Sequence, residues 1–231
     1  MPKHLVIVGA GPGVSLVTAK LFGGEGYAVT LLGRTKEKLQ ALAVTLGEDG
    51  VDASIQVADV TDFDGLRATL REIDAATPID VLIYQPGAVH LVDVLEATVE
   101  NVRPNLDLQI LGAVATGEVL IPAMRARGTG TLIFIGGGSS RLALPFFGNL
   151  GQAMSGMRNY ALTLNKKLRD TDVFVGFLTV AGHMATADGE VKDGMMDPRN
   201  VTERLWKMVA DRGPNETLMT AEGEIPVKGA K

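Results

Sequence analysis

Cysteine is missing from all 231 residues. The chain therefore has no disulfide, no thiolate metal site and no cysteine nucleophile, which fits a reducing cytoplasm. Aromatic residues make up only 5%, with one tryptophan and three tyrosines. Any chemistry that needs a phenol must come from Tyr27, Tyr84 or Tyr160. Positive charge is short as well: the net charge is −5 and the pI about 5.3, so the basic face of a nucleic-acid binder is not expected. No block of five or six like charges forms a tail. The first apolar run, "HLVIVGAG", ends in glycines too soon for a signal-peptide core or a membrane span, and no later run looks long enough, so no membrane partner is expected.

What remains is an alternating pattern. Apolar runs bounded by Gly, Asp or Pro fall at 4–9, 28–33, 53–59, 80–87, 131–137 and 172–180. Several are unbroken, as strands covered on both faces require. Helical periodicity lies between them at 13–25, 35–47, 62–75, roughly 98–127 and 149–169. Repetition of strand and helix predicts an α/β fold, a doubly wound Rossmann-type parallel sheet of about seven strands in three layers, forming a single domain over 1–231. The stretches 105–124 and 150–168 are small or apolar around much of their circumference. They read as central helices under the sheet or as an interface that makes the chain a homodimer or homotetramer. The polar, glycine-containing stretch 182–200 reads as a mobile excursion, a candidate lid, before a helix at 200–211.

"VIVGAGPGVSLVTAKLF" joins the first strand to the first helix. Gly9, Gly11 and Gly13, with Pro12 between them and Val14 opening the helix, permit a tight turn in which helix-start N–H groups face a pyrophosphate. Glycine spacing alone is weak; at this position in an alternating chain it points to a dinucleotide. The second strand ends in Gly33 and Arg34, where an NAD site places an acid for the ribose 2′-hydroxyl. A guanidinium suits a 2′-phosphate, so NADP(H) is expected in preference to NAD(H).

In the order of these landmarks the chain resembles the short-chain dehydrogenase/reductase superfamily over nearly its whole length. "GAGPGVS" stands at the family's glycine loop, and "ADV" (58–60) at the segment whose acid, here Asp59 followed by Val60, meets the adenine. "YQPG" (84–87) fills the family's NNAG position with Pro86 and Gly87, and "AGHMAT" (181–186) would set Thr186 near the nicotinamide amide. The resemblance implies a nicotinamide-dependent oxidoreductase of small molecules whose active site is Ser, Tyr and Lys, with an Asn on the preceding helix. This chain departs from that set. Gly137 falls at the serine, Leu150 at the tyrosine, Met154 at the lysine and Gln109 at the asparagine. No slip of alignment repairs the gap, because Leu31, Ala88 and Leu164 stand four residues after the three tyrosines.

Other protic groups are then candidates for the proton. His183 follows the glycine near the expected nicotinamide and could carry a proton as an imidazole, while a surface histidine at a loop start fits equally. Ser139 and Ser140 are donors or turn caps, Tyr84 a strand-end donor or a packed ring, and Arg141 a holder of an anionic substrate. His4 and His90 read as structural. Two functions stay open: an NADP(H)-dependent oxidoreductase with non-standard catalytic groups, and a catalytically silent NADP(H)-binding sensor or partner subunit. A fold relic without nucleotide is disfavoured by Arg34, Asp59 and Thr186 together.

Overall fold

The computed structural model describes residues 2–87, 90–185 and 190–227. The chain alternates as its apolar runs dictate: β1 (His4–Val8), α1 (Val14–Gly24), β2 (Ala28–Gly33), α2 (Lys36–Glu48), β3 (Ala53–Val57), α3 (Phe63–Ala76) and β4 (Val81–Tyr84). A long helical passage follows, made of α4 (Val99–Leu106), a π-helical turn (Asp107–Leu111) and α5 (Gly112–Arg127). The second half brings β5 (Gly130–Gly137), α6 (Gly151–Leu168), β6 (Val173–Val180), the two-residue strands β7 (His183–Met184) and β8 (Met195–Met196), α7 (Pro198–Asp211), β9 (Glu216–Thr220) and β10 (Gly223–Ile225).

Eight strands form one sheet in the order β3-β2-β1-β4-β5-β6-β9-β10. Seven are parallel, and only β10 runs antiparallel, as a hairpin on β9. The order reverses direction between β1 and β4, and in such sheets the crevice at that switch, beyond the strand C-termini, is where ligands bind. Core residues divide between the two faces. On one, Leu66, Leu120, Met157 and Ala161 from the helices meet Val8, Leu82 and Phe134; on the other, Phe22, Leu39 and Leu205 meet Leu5, Leu31 and Ile133. These are the three layers of a Rossmann-type fold.

Several details differ from the sequence reading. β4 ends at Tyr84 and β3 at Val57; beyond them Pro86 and Gly87, and Ala58 and Val60, line the crevice. β10 adds an edge strand, and β7 and β8 pair in parallel, so the 182–200 stretch is partly strand rather than wholly excursion. The helix Val99–Arg127 is, after all, long and apolar enough by length and composition to cross a membrane, yet half of its apolar window is buried inside this fold. The apolar circumference of α5 and α6 is likewise largely consumed within the protomer: Ala113, Leu120, Met157 and Ala161 are fully buried. Met157 and Ala161 are core residues, unsuited to probing an interface.

Candidate active site

Gly9 leaves β1 in the left-handed region, at φ +81°. A Cβ there would lie 2.6 Å from Pro86 Cα and 2.8 Å from the Gln85 carbonyl oxygen. Only glycine lets the two turns meet so closely. The N–H groups of Gly9 and Ala10 both donate to the Leu32 carbonyl, at 2.9 and 3.1 Å, which ties the loop to β2. Ser15 Oγ accepts from the Gly11 N–H at 3.0 Å and from Gln85 Nε2. Around Gly11 and Gly13 the space where a Cβ would sit is open. No side chain caps the first turn of α1; the Leu16 N–H turns to the Gly13 carbonyl at 3.1 Å, and the Val14 and Ser15 N–H groups before it suit an anion.

The resulting cleft, about 350 Å³, brings together Gly9, Gly11, Pro12, Arg34, Val60, Pro86 and Gly87 as the sequence proposed. Gly13 and Val14 stand just beyond it, at the helix start. The cleft also recruits Lys38 from the first turn of α2, so two cations flank the β2 end. The lysines that open α2 directly after Arg34 were the available signal. Asp59 does not line the cleft; its neighbours Ala58 and Val60 do. Its carboxylate accepts from the Thr61 N–H and hydroxyl at 2.9 and 2.7 Å and sits 3.9 Å from Arg34. Partial burial pushes its pKa up, but the Thr61 hydrogen bonds and the Arg34 charge outweigh it and hold Asp59 below the usual carboxylate range. Thr186 lies outside the described residues.

Gln109 sits on the π turn, fully buried, and its Nε2 donates to the Pro86 carbonyl at 3.2 Å. Its Oε1 is buried with no partner among the described residues. At the end of β5, Gly137 has open space where a side chain would project, whereas Leu150 and Met154 are packed. Met154 Sδ lies 3.4 Å from where a Cβ on Gly136 would be. The three positions therefore present one gap and two apolar side chains.

Past β5 the chain makes a 3₁₀ turn at Gly138–Ser140 and opens a second hollow, about 480 Å³, lined by Ser139, Arg141, Leu142, Leu144, Phe147 and Gln152 among others. The Ser139 hydroxyl is buried with no partner among the described residues, while Ser140 Oγ pairs with Thr179 Oγ1 at 3.3 Å. Arg141 is not free for a ligand in the simple sense the sequence allowed, because it forms an ion pair with Glu216.

Tyr84 and Tyr160 are both taken up in packing. Tyr84, the sequence's strand-end candidate, is fully buried. Its hydroxyl donates to the Leu108 carbonyl at 2.6 Å, and burial drives its pKa far upward. It is a packed strut, not a donor to the crevice. Tyr160 fills the notch left by Gly117, where a Cβ would meet its hydroxyl at 2.3 Å; burial and then the Glu118 charge push it up to about 12. His183 is exposed on β7 and lines neither hollow. His4 is buried and structural as expected, bonded to Thr30 Oγ1 at 2.8 Å and to the Thr77 carbonyl at 3.1 Å. His90 is exposed, and its carbonyl accepts from Asn149 Nδ2 at 2.7 Å.

A parallel doubly wound sheet, a glycine turn at its switch point and a cleft with two cations at the β2 end are the parts of a dinucleotide-binding enzyme. The short chain dehydrogenase family profile matches residues 3–193, and the chain belongs to that family of oxidoreductases. Among curated relatives, it is 31% identical over 126 residues to 3-dehydrosphinganine reductase TSC10A of Arabidopsis thaliana, covering 54% of this chain and 38% of that one. It is 30% identical over 224 residues to the NADP-dependent 3-hydroxy acid dehydrogenase YdfG of Salmonella typhi, covering 87% of each. Among solved structures, the alcohol dehydrogenase of Thermococcus sibiricus complexed with 5-hydroxy-NADP superposes with a TM-score of 0.82 at 18% identity, over 98% of this chain and all of that one.

Proposed function

We propose that the protein is an NADP(H)-dependent oxidoreductase whose catalytic groups differ from the family's Ser-Tyr-Lys set. The observation that carries the reading is the cleft: a glycine turn without bulk above it, a helix start without a cap, and Arg34 with Lys38 where an NAD site has an acid. These residues fit a dinucleotide phosphate. Gly11, Pro12, Gly13 and the first turn of α1 would hold the pyrophosphate, and Arg34 and Lys38 the 2′-phosphate. Ala58 and Val60 would flank the adenine, and Pro86 and Gly87 would close the far wall. When bound, the nicotinamide supplies a hydride to a carbonyl or removes one from an alcohol. The NADP named in YdfG and in the Thermococcus complex supports the same preference.

For the substrate oxygen, Ser139 is the protic group this chain offers, with a buried hydroxyl that has no protein partner among the described residues. A neutral hydroxyl donates a hydrogen bond to developing negative charge without itself titrating. Calorimetric titration of NADPH and NADH tests the cofactor assignment. NADPH should bind at least tenfold more tightly, and Arg34→Ala and Lys38→Ala should each erase much of that difference. Equal affinities, or variants as discriminating as the parent, would remove it.

A second reading, a silent NADP(H)-binding sensor or partner subunit, draws on the packed Leu150 and Met154 beside the empty Gly137 position. A broad screen for NADPH oxidation separates the two. We also propose that copies associate as a homodimer or homotetramer through the outward faces of the 105–124 and 150–168 helices, where Leu111, Asn159 and Thr163 are exposed. A cytoplasmic setting accords with the absence of cysteine.

A further inference from the structure

The hollow past β5 mixes apolar and charged walls, and the nucleotide reading leaves its occupant open. Leu142, Leu144, Pro145 and Phe147 line it together with Ser139 and Arg141, and Phe146 next to them in the chain stands 76% exposed. Behind them Glu216, only 5% exposed, is shared by two guanidinium groups. It pairs with Arg141 and with Arg158, whose Nε and Nη2 lie 2.5 and 3.0 Å from its two oxygens. One carboxylate cannot neutralise two cations, so the trio keeps a surplus positive charge. Nearby Arg204 does not alter the balance, since Glu224 faces it at 3.1 Å. Partly desolvated surplus charge favours an incoming anion, and the orphaned Ser139 hydroxyl independently calls for an acceptor.

We propose that this hollow binds an amphipathic carboxylic acid. Its carboxylate pairs with Arg141, its apolar body lies on Leu142, Leu144, Pro145 and Phe147, and Ser139 donates to a second oxygen of the same molecule. Ser139 and Arg141 belong to one short turn, so an oxo or hydroxy group close to the carboxylate suits their spacing. Naming this acid as the substrate rests on the oxidoreductase reading above; the ligand class rests on the hollow alone.

Calorimetry with 4-phenylbutyrate, 4-phenylbutanol and acetate tests it, on the full chain with and without NADPH. Phenylbutyrate should bind at least tenfold more tightly than the alcohol, which lacks the anion, and than acetate, which lacks the body. Arg141→Gln should abolish the preference for acid over alcohol, and Arg141→Lys should retain most of it. Equal binding of acid and alcohol by the parent protein overturns the proposal whatever the variants do, and so does a folded Arg141→Gln protein with its preference intact. NADPH binding without an acid preference overturns this inference alone. Acid preference without NADPH binding overturns the proposed function and leaves the ligand class standing.

Discussion

Gly9 and Gly11 lie two residues apart in one loop and carry opposite obligations. Gly9→Ala places a Cβ against Pro86 backbone at a positive φ, so it should destabilise the fold by ~2 kcal/mol or more in urea unfolding. Gly11→Ala meets nothing within 4 Å. Its unfolding midpoint should stay put while NADPH affinity falls about tenfold, because the methyl occupies space the pyrophosphate needs. A matched loss of stability in both variants would contradict the division. Positions that follow from backbone shape or chain order, such as Gly9 in its tight turn and Arg34 at the cleft, were legible in the sequence. Roles set by the packing around a side chain were not. Tyr84 looked like a strand-end donor because its burial beneath Leu108 is a tertiary fact, and Arg141 looked free because its partner Glu216 lies 75 residues away.

Local elements obey local chemistry, and α7 shows it. Asp197 caps the helix by accepting from the Arg199 N–H at 2.8 Å. Arg199's hydrogen bonds and charge outweigh burial and hold the carboxyl below the usual range. Asp197→Ala should cost ~1 kcal/mol at neutral pH. Because the folded pKa is depressed, the cap's contribution is complete above the unfolded value of about 3.9 and is lost as pH falls through the lower folded value. Urea titrations of parent and variant should therefore differ at pH 7 and converge only well below pH 4. Helices were readable to within a residue or two, since periodicity and caps announce them: 35–47 became Lys36–Glu48 and 62–75 became Phe63–Ala76. The antiparallel β10 is three residues long and half exposed, too short for an apolar pattern to register.

Across the whole molecule, the test is turnover. Simple ketones should be reduced ~10²–10⁴-fold more slowly than by a short-chain dehydrogenase with an intact Tyr-Lys pair assayed alongside, the usual contribution of general acid catalysis. Robust activity that survives Ser139→Ala, Ser140→Ala and His183→Ala would mean the chemistry sits elsewhere. Adding the family groups by Gly137→Ser, Leu150→Tyr and Met154→Lys puts a charge where Met154 is 7% exposed. The triple variant should melt at a lower temperature, and NADPH should recover part of the loss by pairing with the new cation. Light scattering at micromolar concentration should give a dimer or tetramer, dispersed by Asn159→Arg on the outward face of α6.

The π turn at Asp107–Leu111 has a consequence for how the gene can change length. A π turn holds one residue more than an α turn spanning the same rise. Deleting a codon elsewhere in the 29-residue helix Val99–Arg127 would swing everything on one side of the cut by about 100°, turning core side chains such as Leu120 and Met124 into solvent. A deletion at the π turn is absorbed by reversion to α geometry, and both flanks keep their faces. The residue forfeited would come from the segment that carries Leu108 to the crevice wall and Gln109 to the Pro86 carbonyl. Fold and site thus part company at this one place: a single-residue deletion there spares the architecture and is audible only in the chemistry.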